Sequence, residues 1–284
     1  MAEARDFNCD FENKWCPGCG NFSILESMKE AFAGRGLLPK DVLVVSGIGQ
    51  AGKTPHFLKC NFFHGLHGRA IPVATGASVA DSRLPIVVSM GDGDCYGEGG
   101  NHFLAAIRRN PDMTLLIHDN QVYGLTKGQA SPTSKRGFVT RLQPYGTRSD
   151  PLNPVALALS QGAGFVARAY CAHKEQLADL ISQAMDYRGL AIINILQVCV
   201  SFNPVNTYDW YKGRLYDINK EGHRTDDFRA AMDLAFAGEE KIATGLIYKK
   251  ERPCFADRVR ALEKGYLAGH QYDPGKVQEL LDKA

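Results

Sequence analysis

Gly91-Asp92-Gly93-Asp94 sets two carboxylates in a glycine turn, and Asn120 stands one helix and one strand further along the chain. Glycines there permit a tight turn and let backbone N–H groups approach phosphate oxygens, while Asp92 offers a hard carboxylate oxygen to Mg²⁺. Glycine and aspartate together are also ordinary turn chemistry, so the weight lies in the pairing of Asp92 with Asn120. A second constellation precedes it. Cys16-Pro17-Gly18-Cys19 holds two thiols around a proline–glycine turn, a spacing that suits zinc, an iron–sulfur cluster or a redox disulfide.

The elements that must position these groups can be read from hydrophobic pattern. Leu84 to Met90 is a short apolar, β-branched run, which reads as a buried parallel strand delivering Asp92 at its carboxyl end. Asn101 to Arg109 carries apolar residues at helical spacing, and Met113 to Ile117 is a second buried strand ending near Asp119-Asn120. Strand, acidic turn, helix, strand and amide form a βαβ unit with oxygen ligands at one rim, where open α/β sheets bind ligands. Val42 to Val45 repeats the arrangement with Ser46-Gly47-Ile48-Gly49 after it. Helices are expected over 22–36, 154–164, 173–187 and 255–266, a third clear strand over 190–196, and an irregular loop over 131–148. The fold class is therefore α/β, a mostly parallel open sheet flanked by helices. Residues 1–207 form the expected domain with its CxxC segment, and 208–284 a C-terminal extension that contacts a partner.

Composition narrows the function classes. With 33 Lys and Arg against 31 Asp and Glu, the net charge of +2 provides no strong field for nucleic acid or a membrane surface. The charged N-terminus lacks an apolar signal core and no apolar run has membrane length, so a cytoplasmic location is expected. Eight cysteines are scattered rather than arranged as a secreted disulfide framework.

A glycine-aspartate-glycine turn followed at this interval by Asn is the shared signature of thiamine-diphosphate enzymes. The longer string is narrower: Gly91-Asp92-Gly93-Asp94, Gly99-Gly100-Asn101-His102, Arg108-Arg109-Asn110, Asp119-Asn120, Tyr123 to Gln129 and Ser131-Pro132-Thr133. Together with Trp15 to Asn21, Phe63 to Ala70, Ala74-Thr75-Gly76 and Leu196 to Val200, it resembles the β subunit of 2-oxoacid:ferredoxin oxidoreductases, from Trp15 to about Pro204.

That resemblance implies a set of roles. Asp92, Asn120 and the Val122 carbonyl would hold Mg²⁺. Ile48, Gly49, Gln50, Ala51, His67, Gly93, Asp94, Gly124 and Leu125 would lie against thiamine diphosphate, an electron sink for 2-oxoacid decarboxylation. Cys16, Cys19 and Cys199 match three ligands of a [4Fe–4S] cluster. The fourth position is Gln50, a departure from the family's pattern, with Cys60 or Cys9 as candidate replacements. Lys53 and Lys127 fall inside matched motifs and, with His67, are the candidate catalytic residues. Two cations at the pocket favour a dicarboxylic substrate, 2-oxoglutarate, over pyruvate or branched-chain 2-oxoacids. Coenzyme A, ferredoxin and an α subunit, separate or fused to a γ subunit, are the implied partners. The α subunit would supply the glutamate that activates the aminopyrimidine ring. Two other functions compete: a non-oxidative thiamine-dependent decarboxylase or ligase, if Gln50 breaks the cluster, and a zinc-holding scaffold without catalysis.

Overall fold

The computed structural model describes residues 2–262, 265–269 and 273–283. Its centre is an eight-stranded sheet in the order β2-β1-β3-β4-β8-β7-β10-β9. The strands are β1 (Leu43–Ser46), β2 (Asn61–His64), β3 (Ile86–Gly91), β4 (Met113–Asp119), β7 (Phe165–Tyr170), β8 (Leu190–Leu196), β9 (Leu215–Asp217) and β10 (Ile242–Lys249). A separate hairpin joins β5 (Val122–Tyr123) to β6 (Gln129–Ala130). All pairings in the large sheet are parallel except β10 with β7.

The apolar runs read from sequence are buried because helices cover both sheet faces. Val44, Val87, Leu116, Ala191 and Ile193 enter one core with α1 (Gly20–Gly34) and α5 (Lys174–Asp186). Val45, Val88, Leu115, Ile117 and Ile192 alternate into the other. There they meet α2 (Ala70–Ala80), α3 (Gly100–Arg109), α4 (Pro154–Ser160) and α7 (Phe228–Phe236). Successive strand residues point to opposite faces, so the central strands had to be largely apolar on both.

Two expectations need correction. The segment expected as one helix over 255–266 contains 3₁₀ turns at Ala256–Arg258 and Arg260–Leu262, while residues 263 and 264 lie outside the described set. Its start is strapped down instead: Phe255 N–H donates to Asn110 O at 2.9 Å, and Asp257 accepts from Cys254 N–H and pairs with Arg188. The chain after residue 207 is also more than an appendage. Following the short helix α6 (Tyr208–Tyr211), it contributes β9 and β10 to the main sheet, and α8 (Pro274–Leu281) follows near its end. Among the described residues, no helix is long and apolar enough to cross a membrane.

Candidate cofactor site

The carboxyl ends of β1, β3 and β4 converge on a cavity of about 100 Å³. Ile48 to Ala51 arrive from β1, Asp92 to Asp94 from β3, Asn120 and Val122 to Thr126 from β4, and His67 from the segment after β2. Every residue expected against the cofactor or Mg²⁺ lines this one space. Parallel pairing explains the convergence, because it brings successive strand ends to the same rim.

Asp92 is nearly inaccessible. Its Oδ2 accepts the Ser131 hydroxyl at 2.5 Å and the Thr133 hydroxyl contacts it at 2.7 Å. Burial, followed by the charge of Asp119, pushes the Asp92 carboxyl up to about 7. A cation in the cavity would reverse this effect, since it favours the charged form. Asn120 Oδ1 accepts the Val122 N–H at 3.0 Å, an Asx turn that fixes the amide at the rim. One carboxylate, one amide oxygen and one backbone carbonyl suit Mg²⁺ that completes its shell with diphosphate oxygens and water.

Asp94 plays a different part from Asp92. Its Oδ1 accepts N–H donors from Gly68 at 2.7 Å and Ile48 at 3.2 Å, tying together the turns after β1 and β2. Its Oδ2 is buried without a partner. Burial raises this carboxyl to about 6, with the two backbone donors acting in the opposite direction. Gly47 is required beside it, because a Cβ there would collide with the Asp94 carboxylate. His67 Nε2 stands 3.5 Å from Asp94 and 3.2 Å from Glu98, with its ring edge-on to Tyr123. Tyr123 in turn donates to Glu98 at 3.2 Å, so the imidazole is held from three sides.

The three matched cysteines also come together. Cys16, Cys19 and Cys199 line a small adjoining cavity with Trp15, Asn21, Gln50 and Gln197. Pro17 and a positive-φ Gly18 form the turn that closes Cys19 N–H onto Cys16 O at 2.9 Å. The Gly20 N–H donates to Val198 O, docking the start of α1 beside Cys199. From the extension, Tyr208 Oη donates to Gly18 O at 3.0 Å. Burial first, then Cys199 and Cys16, raise the Cys19 thiol to about 11. Among the described residues, no three His, Cys, Asp or Glu side chains form a group suited to one metal ion. A cluster distributes its ligands over separate irons.

The alternative fourth ligands fall elsewhere. Neither Cys60 nor Cys9 lines the cysteine cavity. Cys60 immediately precedes β2 and is therefore at the amino edge of a parallel pair, whereas Gln50 follows β1 at the carboxyl edge. Burial raises Cys60 to about 12, with Cys9 as a lesser influence, and Cys9 itself contacts His56 O. Lys53 and Lys127 do not line the cofactor cavity either. Lys53 is half-buried in the 3₁₀ segment Ala51–Phe57, and Lys127 is exposed in the β5–β6 turn at φ 80°.

Comparison with known proteins agrees with this geometry. Residues 46–195 match the family model for the thiamine pyrophosphate enzyme C-terminal TPP binding domain, and 199–264 the model for the C terminal part of the pyruvate ferredoxin oxidoreductase beta subunit. The 2-oxoacid:ferredoxin oxidoreductase subunit beta of a Sulfolobus species is 42% identical over 284 residues, 95% of this chain and 92% of that protein. This chain belongs to the 2-oxoacid:ferredoxin oxidoreductase β-subunit family. Another relative, the 2-oxoglutarate synthase subunit KorB of Archaeoglobus fulgidus, is 33% identical over 87% of this chain and 89% of its own length. A solved 2-oxoglutarate:ferredoxin oxidoreductase from Magnetococcus marinus, with 2-oxoglutarate, coenzyme A and succinyl-CoA bound, superimposes with a TM-score of 0.91 at 39% identity. That match covers 98% of this chain and 95% of the other. The fold expected for a β subunit of this family, a thiamine-diphosphate-binding α/β sheet, is the fold observed.

In this β subunit several site residues had no role assigned by sequence pattern. Thr133 contacts both Asp92 and Asp119, and Asn194 donates to Asp119 at 3.1 Å. The signal was present in the hydroxyl pair Ser131 and Thr133 around a proline, and in an acid adjoining Asn120. Asn21 and Gln197 beside the cysteines had no local pattern to reveal them.

Proposed function

We propose that this β subunit holds Mg²⁺-thiamine diphosphate and a [4Fe–4S] cluster for CoA-dependent oxidative decarboxylation of a 2-oxoacid, with electrons delivered to ferredoxin. The observation that carries this reading is the shared wall between the two cavities, made by Gln50, Asn120 and Gly124. An electron released at one site has a short route to the other.

In this reading Asp92, Asn120 and the Val122 carbonyl hold Mg²⁺, while the backbone from Ile48 to Ala51 and Gly93, Asp94, Gly124 and Leu125 form the cofactor's walls. The buried, partnerless Asp94 Oδ2 supports a bound polar group here, because such an atom is costly to leave unpaired. When bound there, thiamine diphosphate would supply the electron sink that decarboxylation of a 2-oxoacid needs. His67, oriented by Asp94, Glu98 and Tyr123, holds or passes a proton at Nε2 beside it.

2-Oxoglutarate is the favoured substrate. The KorB relatives are named for it, and the Magnetococcus structure is described with it bound. Lys127 adjoins Thr126 in sequence and Lys53 lies two residues after Ala51, both lining residues of the cavity, and in this reading the two lysines bind a substrate carboxylate. The site is completed by the α subunit. The test is ferredoxin reduction by the assembled complex with CoA and either 2-oxoglutarate or pyruvate. Faster reduction with 2-oxoglutarate supports the reading. Aldehyde release without ferredoxin reduction would replace it with the non-oxidative one.

A further inference from the structure

We propose that Gln50 Oε1 is the fourth protein ligand of the cluster, which would then have three thiolate-bound irons and one amide-bound iron. This rests on the cluster reading above and deepens it. Gln50 Oε1 is buried and has no hydrogen-bond partner, although its side chain lines the cavity that holds Cys16, Cys19 and Cys199. Its backbone is fixed by Trp15 Nε1, which donates to Gln50 O at 2.9 Å, so the chain segment carrying the CxxC turn also anchors the amide. The side-chain oxygen is thus buried beside the cysteine cavity without a protein donor to satisfy it.

The neighbouring amides point to the same occupant. Asn21 and Gln197 are each 1% exposed; Asn21 Nδ2 has no partner, and Gln197 Nε2 donates to Cys19 Sγ at 3.6 Å. Buried N–H donors beside thiolates stabilise a sulfur-rich, negatively charged group, and leaving them unpaired costs stability. Gln197 Oε1 is also buried without a partner, but of these three amides Gln50 is the one that lines both cavities. An amide oxygen binds iron more weakly than a thiolate, so this corner should be the one that loses its metal.

The experiment uses the assembled complex, purified without oxygen, in wild type and in Gln50→Leu, Gln50→Glu, Gln50→Cys and Cys16→Ala forms. Iron is measured relative to wild type, so iron in the other chains of the complex cancels, and bound thiamine diphosphate reports an intact fold. Brief ferricyanide treatment takes one electron from the oxidised cluster and releases one ferrous ion, leaving a three-iron cluster visible by EPR. The expected results are about one iron lost and a three-iron signal before oxidation in Gln50→Leu, restoration by Gln50→Glu, and resistance to ferricyanide in Gln50→Cys. Complete iron loss in Gln50→Leu that Gln50→Glu reverses also supports an oxygen ligand. Wild-type iron and oxidant sensitivity in Gln50→Leu, or iron loss that Gln50→Glu does not reverse, would overturn the assignment of Gln50. Undiminished iron in folded Cys16→Ala would instead overturn the cluster reading itself.

Discussion

Thr133 Oγ1 bridges the two buried carboxylates of the site, standing 2.7 Å from Asp92 Oδ2 and 2.8 Å from Asp119 Oδ1. A hydroxyl carries one proton, so it can donate to only one of them at a time. The other contact requires a second proton or a nearby cation. Arg168 partly offsets Asp119, and Ser131 supplies a further donor to Asp92. The hydroxyl thereby couples Asp92, at the cavity, to Asp119.

Thr133→Val keeps the shape and removes that link. It should cost about 1–3 kcal/mol in stability, the usual penalty for stranding buried polar groups. Denaturant unfolding of wild type and variant measures it. Unchanged stability together with unchanged cofactor affinity would show that the bridge has no energetic role.

His118 makes the fold acid-sensitive. Its Nδ1 contacts Asn21 Oδ1 at 2.8 Å and its Nε2 contacts Ser89 Oγ at 3.2 Å, and burial lowers its pKa to about 3. The unfolded chain therefore takes up a proton that the folded chain refuses. The stability contribution is complete above the ordinary histidine value near 6.5 and falls as pH drops toward about 3, by about 1.4 kcal/mol per pH unit. His118→Gln should flatten the unfolding free energy between about pH 6 and about pH 4 by that one proton. A slope equal to wild type would mean that the histidine is already charged in the fold.

Substrate choice should follow charge at the cavity mouth. Lys127→Ala should lower kcat/KM for 2-oxoglutarate about tenfold more than for pyruvate, because only the diacid has a distal carboxylate to lose. Thiamine diphosphate affinity should stay unchanged, as Lys127 does not line the cofactor cavity. Equal losses on both acids would assign the lysine to their common end or to the turn, where it adopts φ 80°.

The legible parts of the molecule were those governed by local pattern. Strands such as Leu190–Leu196 are buried at every position and apolar at all but Asn194 because both faces are covered, and the glycine turns mark the carboxyl ends of β1 and β3. β2 was missed because Asn61–His64 is an exposed edge strand with no buried face to leave a pattern. Cys60 looked close to Gln50 by sequence count, but one intervening crossover put it at the opposite edge of the sheet. The environment of Gln50, set by Trp15, Asn21 and Gln197 from distant parts of the chain, is tertiary and left no local trace.

In the proposed function Asp92 anchors thiamine diphosphate through Mg²⁺ at the ends of β3 and β4. Calorimetric titration of thiamine diphosphate into the metal-stripped complex, with and without Mg²⁺, tests it in wild type and Asp92→Ala. The account predicts binding by wild type only when Mg²⁺ is present, and at least a hundredfold weaker binding by a folded Asp92→Ala complex, about 2.7 kcal/mol or more. Wild-type affinity in that variant, or full affinity without any divalent ion, would contradict it.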